Sequence, residues 1–242
     1  MRCIERACTR KGDNMTEKEE GSLKRPRKRG AIAAGVIAAV VLVTGVGLFV
    51  WHEQPSFCAA ICHTPMDAYL DTYNGSTDKY GNELDEQAKL GMMSYLHSEK
   101  ASTTCLGCHV PTLGEQVSEG IGWVTGNYEV VGYNSSNQWI LESKSLDQLT
   151  AAREKDGITF CLNEACHTNA DGSVMTKDDL IALTADHKRN PHVAQHQELD
   201  CGTCHKAHEQ SSNYCLKCHD DAPSPEGWAD PADAAAARNV SR

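Results

Sequence analysis

Five times in this 242-residue chain a cysteine pair is followed at once by histidine. The pairs are Cys58/Cys62, Cys105/Cys108, Cys161/Cys166, Cys201/Cys204 and Cys215/Cys218, and the histidines are His63, His109, His167, His205 and His219. They use ten of the twelve cysteines. With histidine at about one residue in twenty, a chance run of five is on the order of 10⁻⁷, and C-x-x-C-H is the attachment signature of c-type haem. Attachment needs two thiols at the separation of the vinyl groups, and an imidazole placed by the second thiol to reach the iron. Three motifs have the usual two-residue spacer; Cys58/Cys62 has three residues and Cys161/Cys166 four. Extra spacer residues can loop outward while the Cys-His dipeptide stays in place. Zinc wants four ligands and does not require histidine after each second cysteine. A disulfide framework suits an exported chain but leaves the histidines unexplained.

Six histidines remain: His52, His97, His187, His192, His196 and His208. They are enough to give most of the irons a second imidazole. His205 and His208 are three apart on one side of the chain and cannot grip both faces of one iron, so His208 is expected at a neighbouring haem. His192 and His196, four apart, are expected on one helix face. His208, His192 and His97 are the first candidates for distal ligands, with His187 and His196 behind them; His52 reads as the polar end of a helix.

The second constraint is an apolar run without a charge, Ala31–Trp51. As a helix it is roughly 32 Å long, the thickness of a bilayer's hydrocarbon. Residues 1–30 hold ten Lys and Arg against five acids, out of chain totals of 23 and 33, and the cluster Lys24–Arg29 abuts the run. Basic flanks stay in the cytoplasm, which puts the N-terminus inside and the rest on the periplasmic or extracellular face of the cytoplasmic membrane. A cleaved signal has a shorter apolar region and a small-x-small exit, unlike Phe49-Val50-Trp51-His52. Residues 1–14, with Cys3 and Cys8, are an expected over-extension ahead of a second start at Met15. The acidic outer part, more acidic still with haem propionates, argues against nucleic acid and favours a partner with a positive docking patch.

With three Phe and four Trp but twelve Cys and eleven His, the chain has few core formers of its own and is expected to build around a prosthetic group. The expected fold is mainly α: a basic segment 1–30, one transmembrane helix 31–51, a small haem-packed pentahaem cytochrome c domain 52–222, and a mobile acidic tail 223–242. The second cysteines are 46, 58, 38 and 14 residues apart, so there is no fixed repeat, and the last haems are crowded. Local signals predict a polar, turn-rich 67–82, a helix over 83–99 ending near His97, an ambiguous 113–133, a capped helix from Ser145 to about Lys155 stopped by Gly157, a short helix from Thr176, and a helix opened by Asn190-Pro191.

The anchor, the first motif running on as C-H-T-P-Met66, His97 ahead of a C-x-x-C-H-V-P motif ending at Pro111, and the closely spaced C-terminal motifs resemble the NapC/NirT family of membrane-anchored multihaem quinol dehydrogenases, which includes the small subunit of cytochrome c nitrite reductase. The resemblance spans about residues 30–220. It implies electron flow from menaquinol or ubiquinol to an extracytoplasmic reductase: nitrite, nitrate, N- or S-oxide, or a flavin or molybdenum enzyme. In some members the methionine binds the first iron in place of the motif histidine. Members usually carry four haems, not five, and their methionine follows the motif histidine by two residues, not three. Their lysines after the second motif have no counterpart between His109 and Lys144.

Quinol is confined to the bilayer, and the first motif is the only one tethered within a few residues of it, so electrons are expected to enter there. His63 and Met66 leave the chain on one side and compete for one face of that iron. Asp67 and Asp71, and more remotely Glu115 or Glu119, are candidate proton acceptors. The competing reading is a pure relay or haem-based binding protein that never meets quinol.

Overall fold

The computed structural model describes residues 28–61, 63–150 and 156–241. The chain forms two compact units, the first ending at Val46 and the second beginning at Gly47.

The apolar run forms one helix, α1 (Lys28–His52). Its Gly30–His52 portion is long and apolar enough to cross a membrane, with none of that window buried. Val41 is 66% and Phe49 68% exposed, a solvent-facing apolar surface that a bilayer would cover, and this supports membrane anchoring.

The second unit is mostly helical. α2 (Pro55–Ile61) and α3 (His63–Asn74) lead to a 3-10 turn (Ala88–Gly91) and α4 (Met93–Ala101). α5 (Cys105–Cys108) and α6 (Leu113–Thr125) follow, then a hairpin of β1 (Val130–Tyr133) and β2 (Trp139–Leu141). α7 (Leu146–Thr150), α8 (Gly157–Cys161), α9 (Lys177–Leu183), α10 (Cys201–Cys204), a 3-10 turn (Tyr214–Lys217) and α11 (Pro231–Ala236) complete it. α3 is the hub, packing against α2, α4 and β2. Its Ala68 and Thr72 are fully buried, and the Tyr69 hydroxyl accepts from the Leu141 N–H at 3.0 Å. The hairpin is antiparallel, with Tyr133 opposite Trp139 and a bulge between Val130 and Gly132. Its turn is built on Asn134, whose side-chain oxygen accepts from Ser136 and Gln138 N–H at 3.0 and 2.9 Å. Fully buried apolar side chains are few, among them Ala68, Met92 and Ile140, as the composition leads one to expect.

Capping behaves as the sequence indicates. Ser145 and Gln148 exchange side-chain bonds at 2.7 and 3.2 Å at the head of α7, and Thr176 and Asp179 form a capping box for α9. The predicted end of α7 lies outside the described residues. Gly157 starts α8, which Asp156 caps by accepting from Thr159 N–H at 2.7 Å.

Other local expectations are overturned by long-range contacts. The segment after Met66 stays helical to Asn74, because its apolar side packs into the unit. The helix expected over 83–99 is broken: Met92 is extended (φ −108°, ψ 117°) and α4 begins only after it. Gly91 is the reason. A Cβ there would lie 2.0 Å from Gly227 O, so the C-terminal segment passes where a side chain would stand. No helix follows Asn190-Pro191, and His192 and His196 therefore share no helix face. The Asn190 side chain turns back, donating to Ile181 O at 2.7 Å and accepting from His192 N–H at 3.0 Å. Residues 223–241 do not trail free. Ala229 N–H bonds Ser211 O at 2.9 Å, Tyr133 and Ser241 exchange backbone bonds at 2.8 and 2.9 Å, and Arg238 pairs with Glu209 at 2.9 Å.

Candidate metal centres

The three motifs with two-residue spacers share one local design. Each makes a single tight turn, in α5, α10 and the 3-10 turn Tyr214–Lys217. The N–H of the histidine closes that turn onto the carbonyl of the first cysteine, at 2.8 Å for His109, 2.9 Å for His205 and 2.9 Å for His219. His109 and His205 then leave in extended backbone (φ −93° and −81°), so two thiols on one turn are followed by an imidazole swung away from it.

The second cysteine of the last motif differs from its partner in setting. Cys218, expected to share a haem with Cys215, is exposed and not enclosed by the fold, whereas Cys215 is half-buried. Cys108 and Cys166 are exposed in the same way, and their partners Cys105 and Cys161 are half-buried. The cause is local. Cys218 caps the 3-10 turn (φ −133°, ψ −20°) with its N–H on Cys215 O at 3.1 Å, so the turn closes on its first cysteine and carries the second outward.

In the four-residue spacer Asn163 carries the extra loop. Its side chain donates to Phe160 O at 2.6 Å and accepts from Ala165 N–H at 2.9 Å, and its carbonyl receives Cys166 N–H at 3.1 Å. Of the first motif, Cys62 and the His63 side chain lie outside the described residues; Cys58 sits on α2, and Met66 and Asp67 are half-buried on α3. Asp71 is committed elsewhere, accepting from Gln138 Nε2 at 2.6 Å.

Neighbouring motifs touch. Cys58 lies beside Cys105, and Cys161 beside Cys201, close enough for each thiol to shift its neighbour: Cys58 and Cys201 are drawn down to about 7 and their partners pushed up. Tyr214 N–H points at Cys204 Sγ, 3.4 Å away, linking the last two motifs. Cys108 is close enough to Cys161 to raise its pKa, which bridges the second motif to the third.

Histidines distant in sequence meet two by two. His109 and His208 have ring centroids 6.1 Å apart, His97 and His167 6.2 Å, and His196 and His219 6.1 Å. Two imidazoles bonded to opposite sides of one metal ion by bonds of about 2 Å would have centroids roughly 6 Å apart, whatever the twist between their planes. Among the described residues no three His, Cys, Asp or Glu converge on a point. The sites therefore suit a metal whose other ligands come from a macrocycle, and the thiol pairs beside them suit its covalent attachment. Haem c fits these residues.

The spare histidines are also oriented. His97 Nδ1 faces Met93 O at 2.9 Å, His208 Nδ1 faces Thr72 Oγ1 at 2.7 Å, and His192 Nδ1 faces Thr184 Oγ1 at 3.1 Å. Thr72 donates to Tyr69 O at 2.6 Å and Thr184 to Leu180 O at 2.7 Å, so each hydroxyl accepts from the imidazole. With Nδ1 protonated, Nε2 is left as the free acceptor, the arrangement second-shell partners impose on metal-binding histidines. Desolvation pushes His208 down to about 3 and lowers His109, His167, His192 and His205, favouring the neutral ring that a metal requires. His205 packs edge-on against Trp228 at 5.0 Å, and its pKa is lowered further by His192, then His167 and His97 nearby. His187 is exposed. His52 contacts Phe57 and Glu53. Thr72, Thr184 and Trp228 are invisible to motif reading, because each acts on a histidine outside its own motif.

Across 215 residues the chain is 47% identical to the cytochrome c-type protein Cgr1 of Eggerthella lenta, covering 86% of this chain and 91% of that one. The chain belongs to this family of c-type cytochromes. Residues 143–220, which hold the last three motifs, also match the cytochrome c3 family. No solved structure matches. As a c-type cytochrome, the protein carries covalently bound haem c and transfers electrons.

Proposed function

We propose that this cytochrome carries five haems and takes electrons from membrane quinol, menaquinol or ubiquinol, to an extracytoplasmic reductase. The carrying observation is the set of three histidine pairs at 6.1–6.2 Å. In each, a motif histidine faces a histidine from another part of the chain. Five motifs would hold five haems, His109 with His208, His167 with His97, and His219 with His196 as axial pairs. His192 is assigned to His205, whose pKa it lowers more than His167 or His97 does. Bound haem would supply one-electron carriage between neighbouring sites. Two imidazoles per iron leave no position for substrate, so these sites suit transfer rather than bond chemistry.

Entry is assigned to the first motif. Cys58 lies six residues beyond His52, the last residue of the apolar helix. Phe57 packs edge-on against both Trp51 and His52, at 5.1 and 5.0 Å. The thiol contacts from Cys58 to Cys105 and onward support a line of sites from first motif to fifth. The NapC/NirT resemblance supports the same direction of flow.

The full-length protein in proteoliposomes tests this. A menaquinol analogue is expected to reduce the haems, and dithionite to reduce them all. Reduction by dithionite but not by quinol would leave a relay fed by another protein.

A further inference from the structure

α6 is amphipathic, but it faces the wrong way for a helix of an isolated soluble domain. At 100° per residue, Leu113, Val117, Ile121 and Val124 fall in one stripe, and Glu115, Ser118, Glu119 and Gly122 on the opposite side. The stripe is bare: Leu113 is 77% exposed, Val117 56%, Ile121 59% and Val124 76%. The contacts that the helix makes are on its polar side, where Glu115 and Gly122 are half-buried while Ser118 and Glu119 stay exposed. Glu115 pairs with Lys144 at 3.8 Å and closes a capping box with Thr112. A Cβ on Gly122 would stand 3.1 Å from Asn127 O and 3.9 Å from the Tyr128 ring. Glu119 is close enough to the Cys58 thiol to raise its pKa. An amphipathic helix ordinarily buries its apolar stripe; here the stripe is left bare.

What covers the stripe is indicated by what stands beside it. The apolar helix ends at Trp51-His52, in the same compact unit as α6. Phe57 packs on that end, its neighbour Cys58 lies beside Cys105 of α5, and four residues separate α5 from α6. Trp123, 45% exposed, flanks the stripe, and tryptophan favours the membrane–water boundary, as does Trp51 at the helix end. We infer that α6 lies on the bilayer surface with Leu113, Val117, Ile121 and Val124 inserted among the lipid chains, a second membrane contact in addition to the anchor. α6 has no Lys or Arg, so binding rests on apolar burial and needs no anionic lipid.

The test uses the full-length holoprotein in phosphatidylcholine proteoliposomes, with the photo-crosslinker benzoyl-phenylalanine placed at Val117, Ile121, Val124 or, as control, Ser118. All four sites are exposed, and an unchanged haem spectrum certifies each variant before illumination. Peptides from positions 117, 121 and 124 are expected to gain the mass of one phospholipid, with only background at 118. Crosslinked dimers at the stripe positions would mean that a second copy covers the stripe. Lipid adducts no more frequent at the stripe than at 118 would mean that it does not enter the bilayer. Either result overturns the inference.

Discussion

Replacing His208 with alanine will convert one haem from low spin to high spin and break electron flow at the second motif. His208 stands 6.1 Å from His109 by ring centroids, and its Nδ1 is held by Thr72. In the proposed pairing, its loss would leave His109 as a lone axial ligand, and external ligands such as carbon monoxide would gain a face they cannot reach in the parent. Added imidazole should restore the low-spin spectrum, which separates a missing ligand from a misfolded chain. Thr72→Val keeps the volume and removes only the hydroxyl that orients the ring. Second-shell changes of this kind typically cost 10–100-fold in metal affinity or activity, so His208 should yield to external ligands roughly tenfold more readily. His187→Ala, at an exposed ring, should leave the spectrum unchanged. Optical spectra with and without carbon monoxide check all three.

Acid will strip these imidazoles in a defined window. An unfolded histidine titrates near pH 6.5, whereas desolvation pushes His208 down to about 3 in the fold. Between those values the unfolded chain binds the extra proton, so stability rises with pH. The contribution is fully present above about pH 6.5 and is lost progressively as pH falls towards 3. His109, His167, His192 and His205 shift in the same direction for the same reason, so their losses add. Metal ligation acts likewise, because proton and metal compete for Nε2. Denaturant melts at pH 7, 5.5 and 4, followed by the haem absorbance, should show falling midpoints. A midpoint independent of pH over that range would mean that these rings do not need to be neutral.

How much of this is legible in the sequence follows the range of the interactions. The apolar helix, the capped starts of α7 and α9 and the motif turns are set by residues within about five positions of one another, and each is read directly. The four-residue spacer reads as an outward loop, and Asn163 makes it one. What fails depends on partners far along the chain. Met92 breaks its helix because residue 227 crosses at Gly91. Asn190 resembles a helix cap, yet its side chain is taken by Ile181. The acidic, alanine-rich end looks mobile until Trp228 is seen against His205. The hairpin is hidden in a glycine-broken stretch. For the site, the motif histidines are plain and the spare ones can be counted, but pairing is beyond reach. Thr72 and His208 are 136 residues apart, and nothing local connects them. The motif likewise treats its two cysteines as equals, and only the packed chain shows Cys218 outward and Cys215 half-buried.

The central claim is that five covalent haems occupy five Cys/His motifs, one of them beside the membrane helix. A pyridine haemochrome assay on the purified full-length protein, set against protein concentration from amino-acid analysis, tests it most directly. It should return about five c-type haems per chain. Two or three per chain, or zinc in place of iron, would contradict it.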